Sequence, residues 1–196
     1  MRKNTLSELI LTKFCHDIAG AVGALMNGAE LLIDSFDDKE FLQQATNTLV
    51  DSSKFLTYRL RFFRAAFGTP KQNYAPATAI QLATDYISTL NHITLNWEDE
   101  GVEDFAVTRI KLITCFICIS TLIRGGNISI SQRRITVSGQ NVVLPELMSL
   151  ALEGDDSQEE NSEIAAGVFL YNYMQQEGYR LSVEKAQDSI TFIIEG

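Results

Sequence analysis

Positive charge is in short supply in this chain. Its 196 residues hold 16 lysines and arginines against 25 aspartates and glutamates, a formal net charge of −9. Wholesale binding of nucleic-acid phosphates needs a basic field, so that class is excluded. Cysteine is scarce and odd in number, with only Cys15, Cys115 and Cys118, which argues against a disulfide framework. No apolar run is expected to reach the length of a membrane span. The opening "MRKNTLSELILTKFCHD" is positive but lacks an apolar stretch long enough for a signal peptide. The expectation is a soluble, cytoplasmic protein. Proline is rare too: two of the three fall in "TPKQNYAP", residues 69–76, the best linker candidate. Against these shortages, apolar residues make up 45%. That is enough for a core and argues against disorder. The length fits one ordinary domain or two small ones.

Cys115 and Cys118 form a C-x-x-C, a spacing that serves zinc or redox chemistry in other settings. Here they sit in the middle of "KLITCFICISTLI", a run that reads as a buried helix. A redox pair usually needs a helix N-terminus to lower a thiol pKa, and zinc needs two more ligands. The spacing therefore reads as small core residues.

The first third reads as all helix. Helices are predicted over 6–33 and 39–67, joined by the polar turn "DSFDD" at 34–38, with Gly68 and Pro70 as a stop signal. Two long helices and a short turn make an antiparallel hairpin. Beyond the linker, helices are predicted over 77–90 and 104–124, a short one after Pro145, and one over 162–177 ending at Gly178. Strands are predicted in "HITLNW", "GGNISIS", "RRITVSG", "YRLSVEKA" and "SITFIIE". This is an α+β chain, a helical hairpin followed by an α/β sandwich of about five strands. His92 begins a predicted strand and reads as structural. The acidic stretches "EDEGVED" and "GDDSQEEN" read as solvated turns with helix-capping carboxylates.

The first helix carries an oddity. "KFCHDIAGAVGALMNGAELL" has three glycines, Gly20, Gly23 and Gly28, beside a lone histidine, His16. Each glycine costs a helix interior about 1 kcal/mol relative to alanine. On a wheel of about 100° per residue, Ile10, Phe14, Ile18, Leu25 and Leu32 gather on one side, with Leu11, Val22 and Ala29 next to them. His16 falls close to the opposite side, with Ala19, Gly20, Gly23 and Asn27 around it. The imidazole is expected in solvent on a strip almost bare of side chains, where another backbone can come close. A small-molecule site would have walls, so the expected partner is a protein surface. Two bland readings stand beside this one: an incidental exposed histidine, and glycines that serve tight helix packing.

These residues resemble a family. "CHDIAGAVGALMNGAELL" is similar to the phosphoacceptor helix of the ChpT-type histidine phosphotransferases of alphaproteobacteria. "RLRFFRAAFG" resembles the end of their second helix, and "LIRGGNISI" the helix-to-strand junction of their second domain. Family members often carry proline where Ala21 stands. The resemblance implies a homodimer in which residues 1–69 form the phosphotransfer and dimerisation hairpin of a dimeric four-helix bundle. Residues 76–196 would be a degenerate ATPase-like domain similar to that of histidine kinases. It implies that His16 receives a phosphoryl group from the aspartate of one response-regulator receiver domain and passes it to another. Asp17, aligned with an acidic residue that orients the ring in related kinases, is the second catalytic candidate. A free histidine is largely neutral near pH 7, as a nucleophile must be. No cofactor is expected on this chain; Mg2+ would come from the receiver.

Thr12 and Lys13, one turn back from His16, stack under the ring on the wheel, and Asp17 can pair with Lys13 instead. The candidate docking residues are Thr12, Lys13, Ala19, Gly20, Gly23, Asn27, Arg61 and Arg64. Lys54, Arg59, Arg61 and Arg64 form a basic group that reads equally as a rim steering an acidic receiver or as solvated charge near a helix C-terminus. Autokinase activity is not expected. Cys115 stands where a kinase ATPase domain has its magnesium-binding asparagine, no D-x-G-x-G occurs, and the acid-rich 152–161 stretch would repel a triphosphate. A two-helix hairpin cannot cover its own apolar stripes, which again points to a homodimer. The rival reading is a dimeric module that binds receivers without chemistry. Neither nucleic acid nor membrane is expected as a partner.

Overall fold

The computed structural model describes residues 6–34, 39–69, 73–98, 101, 103–155 and 161–196. Two 29-residue helices come first, α1 (Leu6–Asp34) and α2 (Lys39–Phe67). They run antiparallel. Phe14 meets Phe63 at 4.9 Å between ring centroids, Asp17 meets Arg59, and Gly28 meets Leu49. The closing amide of Gly68 bonds to the Arg64 carbonyl at 3.2 Å. Most of the expected turn (35–38) and part of the linker (70–72) lie outside the described residues. By length and composition alone, Leu6–Ile33 of α1 is long and apolar enough to cross a bilayer, with a mean hydropathy of 1.4 and little burial, a test that core helices of soluble proteins also pass. Single polar residues break its apolar runs, so no long run shows in the sequence, while averaging over a window reveals the composition.

The second part begins with α3 (Pro76–Ile87), whose proline sits at a first-turn position where its missing N–H costs nothing. β1 (Ile93–Trp97) leads to α4 (Phe105–Thr121), capped by the Asp104 carboxylate on the Ala106 amide at 3.1 Å. Then come β2 (Gly126–Ser131), β3 (Arg134–Ser138), α5 (Glu146–Leu152), α6 (Ala165–Glu177), β4 (Arg180–Lys185) and β5 (Ser189–Glu195). The sheet order is β1-β2-β3-β5-β4. Only β1 and β2 are parallel, bridged by α4; the other pairs are antiparallel. Ile128, Ile130, Ile135, Val137, Ile190, Phe192 and Ile194 are buried by period-two alternation. The result is a sheet with helices packed on it.

The predicted elements match to within a few residues. Helix α4 stops at Thr121 rather than 124, and α6 starts at Ala165 after a turn. His92 is not in the strand. It is an exposed left-handed turn residue (φ 68°) whose carbonyl accepts from the Gly126 amide at 2.8 Å. Gly125 must lack a side chain there, since a Cβ would lie 2.3 Å from the His92 oxygen.

An aromatic cluster joins the two parts. Phe62 stacks on Tyr86 of α3 (4.5 Å), Phe63 meets Phe116 of α4 edge-on (5.1 Å), and Phe67 meets Phe169 of α6 (5.4 Å). Arg109 of α4, buried, reaches the end of α2. Its Nε donates to the Ala66 carbonyl (3.0 Å), its Nη2 donates to the Gly68 carbonyl (2.7 Å), and its guanidinium lies 4.7 Å from the Tyr173 ring. A cation at a helix C-terminus satisfies carbonyls that have no helical partner.

Candidate functional site

Helix α1 presents His16 outward, with 85% of its side chain exposed. The ring stands beside Asp17, whose carboxylate is mostly buried. The His16 Nδ1 lies 3.7 Å from Asp17 Oδ1, and the Lys13 Nζ lies 3.4 Å from the same oxygen. Neighbouring helical residues point about 100° apart, which is why the histidine contact is longer than a hydrogen bond and the lysine one turn back comes closer. The Asp17 carboxylate thus stands between the Lys13 ammonium and the His16 ring. Thr12 does not lie under the ring as a free hydroxyl, because its Oγ1 donates to the Glu8 carbonyl at 2.8 Å.

Ala19, Gly20 and Asn27 are exposed and Gly23 is half-buried. A Cβ added at Gly20 or Gly23 would meet nothing within 4 Å, whereas one at Gly28 would lie 3.0 Å from Leu49 Cγ. So the glycines divide. Two leave open space beside the histidine strip, and the third serves the packing of α1 on α2. Arg61, Arg64 and Lys54 are exposed. The Phe14–Phe63 and Asp17–Arg59 contacts put Arg61 and Arg64 at the height of His16 along the hairpin.

Arg59 departs from the expected basic group. It turns inward, with its guanidinium 4.2 Å from the Phe55 ring centre and 5.5 Å from that of Tyr86, and its Nη1 donates to the Asp17 carbonyl at 2.6 Å. Sequence reasoning missed this. The available signal was Phe55 four residues before Arg59, a spacing that lays a guanidinium over a ring. Behind the histidine strip, Lys13, Asp17 and Arg59 form one wall of a cleft of about 500 Å³ whose other side comes from α3 to α6. Cys115 and Cys118 are fully buried in α4, and burial pushes the Cys115 thiol up to about 12. Among the described residues, no group of three or more histidine, cysteine or acidic side chains could hold a metal.

The family model for the histidine phosphotransferase C-terminal domain matches residues 76–189. The chain belongs to the ChpT-type histidine phosphotransferase family. The protein phosphotransferase ChpT of Brucella abortus (strain 2308) is 25% identical over 97% of this chain and 95% of that protein. A solved bacterial phosphotransferase shares the fold at 24% identity, with a TM-score of 0.81 over 97% of this chain and 95% of the other. A histidine kinase domain from Erythrobacter litoralis EL346 aligns at 14% identity and a TM-score of 0.44, over 93% of this chain and 91% of that one.

For a ChpT-type chain, two local features stand out. At Ala21 the helix continues without a break, and the small side chain is buried against the rest of the protein. At Cys115 the side chain is enclosed in the core of α4 and faces no solvent.

Proposed function

We propose that this phosphotransferase is a phosphorelay carrier, passing a phosphoryl group between response-regulator receiver domains through His16, without using ATP. The reading is supported above all by one observation: an exposed imidazole beside a carboxylate, on a strip of α1 where Gly20 and Gly23 leave room for an incoming protein.

In this reading, a hydrogen on Nδ1 faces the Asp17 carboxylate and leaves the lone pair on Nε2 outward. The Nε2 attacks the phosphorus of the receiver's phosphoaspartate in line. The N–P bond forms as the P–O bond to the aspartyl carboxylate breaks, and that carboxylate leaves with its electron pair. The ring becomes positive, and Asp17 offsets that charge across a short distance, itself held by Lys13. Transfer to the second receiver reverses the step. Mg2+ belongs to the receiver's acidic site, where it neutralises phosphoryl charge; this chain contributes orientation and access. Arg61 and Arg64 steer the acidic face of the receiver towards the strip. Thr12, Ala19 and Asn27 complete the contact surface.

Residues 1–69 act as the phosphotransfer and dimerisation unit, and 76–196 as a degenerate ATPase-like domain. The exposed Leu11, Val22, Met26 and Ile33 of α1 pair with a second hairpin to make a four-helix bundle in the cytoplasm. The test is to mix the protein with a phosphorylated receiver and look for acid-labile, base-stable phosphate on it. Labelling is expected with the wild type and absent with His16→Ala. Receiver binding without labelling of the wild type would instead favour a non-catalytic binding module. Labelling from ATP with no partner present would overturn the ATP-independent part.

A further inference from the structure

Arg59 is the one inward-facing cation in the expected basic group, and its contacts do not suit a steering role. It extends from α2 across to α1 and donates Nη1 to the Asp17 carbonyl at 2.6 Å. In an α-helix that carbonyl already receives the amide four residues on, so Arg59 adds a second donor to a backbone group that was satisfied. Its own Nε is buried and has no hydrogen-bond partner among the described residues. An arginine kept for stability alone would be expected to pair that donor. The guanidinium is fixed in direction by Phe55 of its own helix and by Tyr86 of α3. Tyr86 in turn stacks on Phe62. The Asp17–Ile18 peptide of α1 is thereby tied through one planar cation to α2 and α3.

From this we infer that Arg59 is a positioning residue for His16. It holds the α1 backbone at Asp17 so that the Asp17 carboxylate stays beside Nδ1 and the ring points off the bare strip. The inference rests on the phosphorelay reading of His16. Arg59 touches neither the incoming phosphoryl group nor the ring. It acts through the main chain of Asp17, and an angular slip of α1 against α2 is what it prevents. Errors of about 1 Å in the placement of a reacting group cost up to about 100-fold in rate.

Arg59→Met tests this, since it keeps an unbranched apolar stem over Phe55 and removes every donor. Transfer from a phosphorylated receiver is measured over a range of receiver concentrations, together with the His16 tautomer by nitrogen-15 NMR and the thermal unfolding midpoint. The rate at saturating receiver is expected to fall by about 10-fold or more, with the half-saturating receiver concentration unchanged within about twofold and less of the Nδ1–H tautomer. Arg59→Lys, which retains one donor, should recover part of the rate. If Arg59→Met does not fold, Arg59→Lys carries the same comparison and should show a smaller fall in rate at unchanged half-saturation. An unchanged saturating rate, or a change confined to half-saturation, would overturn the inference and return Arg59 to steering or packing. Failure of the wild type to take phosphate on His16 would sink the phosphorelay reading itself, a result distinct from a wild type that is labelled and an Arg59 variant that matches it.

Discussion

At the scale of the residue, the three glycines of α1 make opposite predictions from one sequence pattern. Gly20 and Gly23 have open space where a Cβ would go. Alanine at either should raise stability by up to about 1 kcal/mol, through helix propensity alone. Leucine at Gly23 should leave folding intact and slow phosphoryl transfer by obstructing the strip. At Gly28, a valine must displace Leu49, and urea unfolding should register a loss of about 1–3 kcal/mol from overpacking. The buried thiols give a pH dependence. The folded Cys115 value is raised from 9.0 to about 12, and that of Cys118 is also raised, both by burial. A raised thiol pKa means that the folded chain keeps a proton the unfolded chain releases. Stability is therefore untouched below about pH 9 and falls above it, by up to about 1.4 kcal/mol per pH unit for each thiol, until the folded values are passed. The raised Tyr86 phenol acts in the same direction. Urea midpoints from about pH 8 to about pH 10.5 should show the fall, and Cys115→Ala should remove one thiol's share of the slope.

At the scale of the element, the C-terminus of α2 is finished by another part of the chain. The Gly68 amide closes the Arg64 carbonyl, the Tyr74 hydroxyl donates to that of Ala65, and Arg109 supplies donors to those of Ala66 and of Gly68 just beyond the helix. Arg109→Met keeps apolar contact with Tyr173 and orphans the Ala66 and Gly68 carbonyls. Relief of a desolvated charge offsets part of that cost, and two lost charge-assisted hydrogen bonds exceed it, so a net loss of about 2 kcal/mol is expected. Hydrogen exchange should speed up first in the last turn of α2, since that is where the donors were removed.

At the scale of the whole molecule, the surface that stands out is the exposed apolar flank of α1. Met26 is 60% exposed and Ile33 73% exposed, an arrangement that water tolerates poorly over several turns. A second hairpin covers that flank in the proposed assembly, and a bilayer is the competing cover that the helix's composition allows. Sedimentation of the purified chain at micromolar concentration should give twice the chain mass, and Val22→Glu combined with Met26→Glu should give the single-chain mass with the His16 face intact. Co-pelleting of the wild type with lipid vesicles, with no dimer in solution, would reject the bundle.

The order and type of the elements were legible in the sequence because each is decided locally. Gly178 takes a left-handed turn (φ 80°) at the end of α6, Asp104 caps α4, and the apolar positions Ile128 and Ile130 of β2 and Ile190, Phe192 and Ile194 of β5 alternate without reference to anything distant. The outward placement of His16 was legible for the same reason, since one helix's periodicity sets its own wheel. What the tertiary structure alone decided concerns groups whose meaning depends on a second element. Gly28 differs from Gly23 only because Leu49 stands against it, and Arg59 differs from Arg61 only because Asp17, Phe55 and Tyr86 surround it. Arg109 reads in sequence as a charge inside an apolar helix, and becomes a cap only when the end of α2 arrives beside it. Periodicity fixes the direction in which a side chain leaves its own helix; which partner it meets there depends on how distant segments pack.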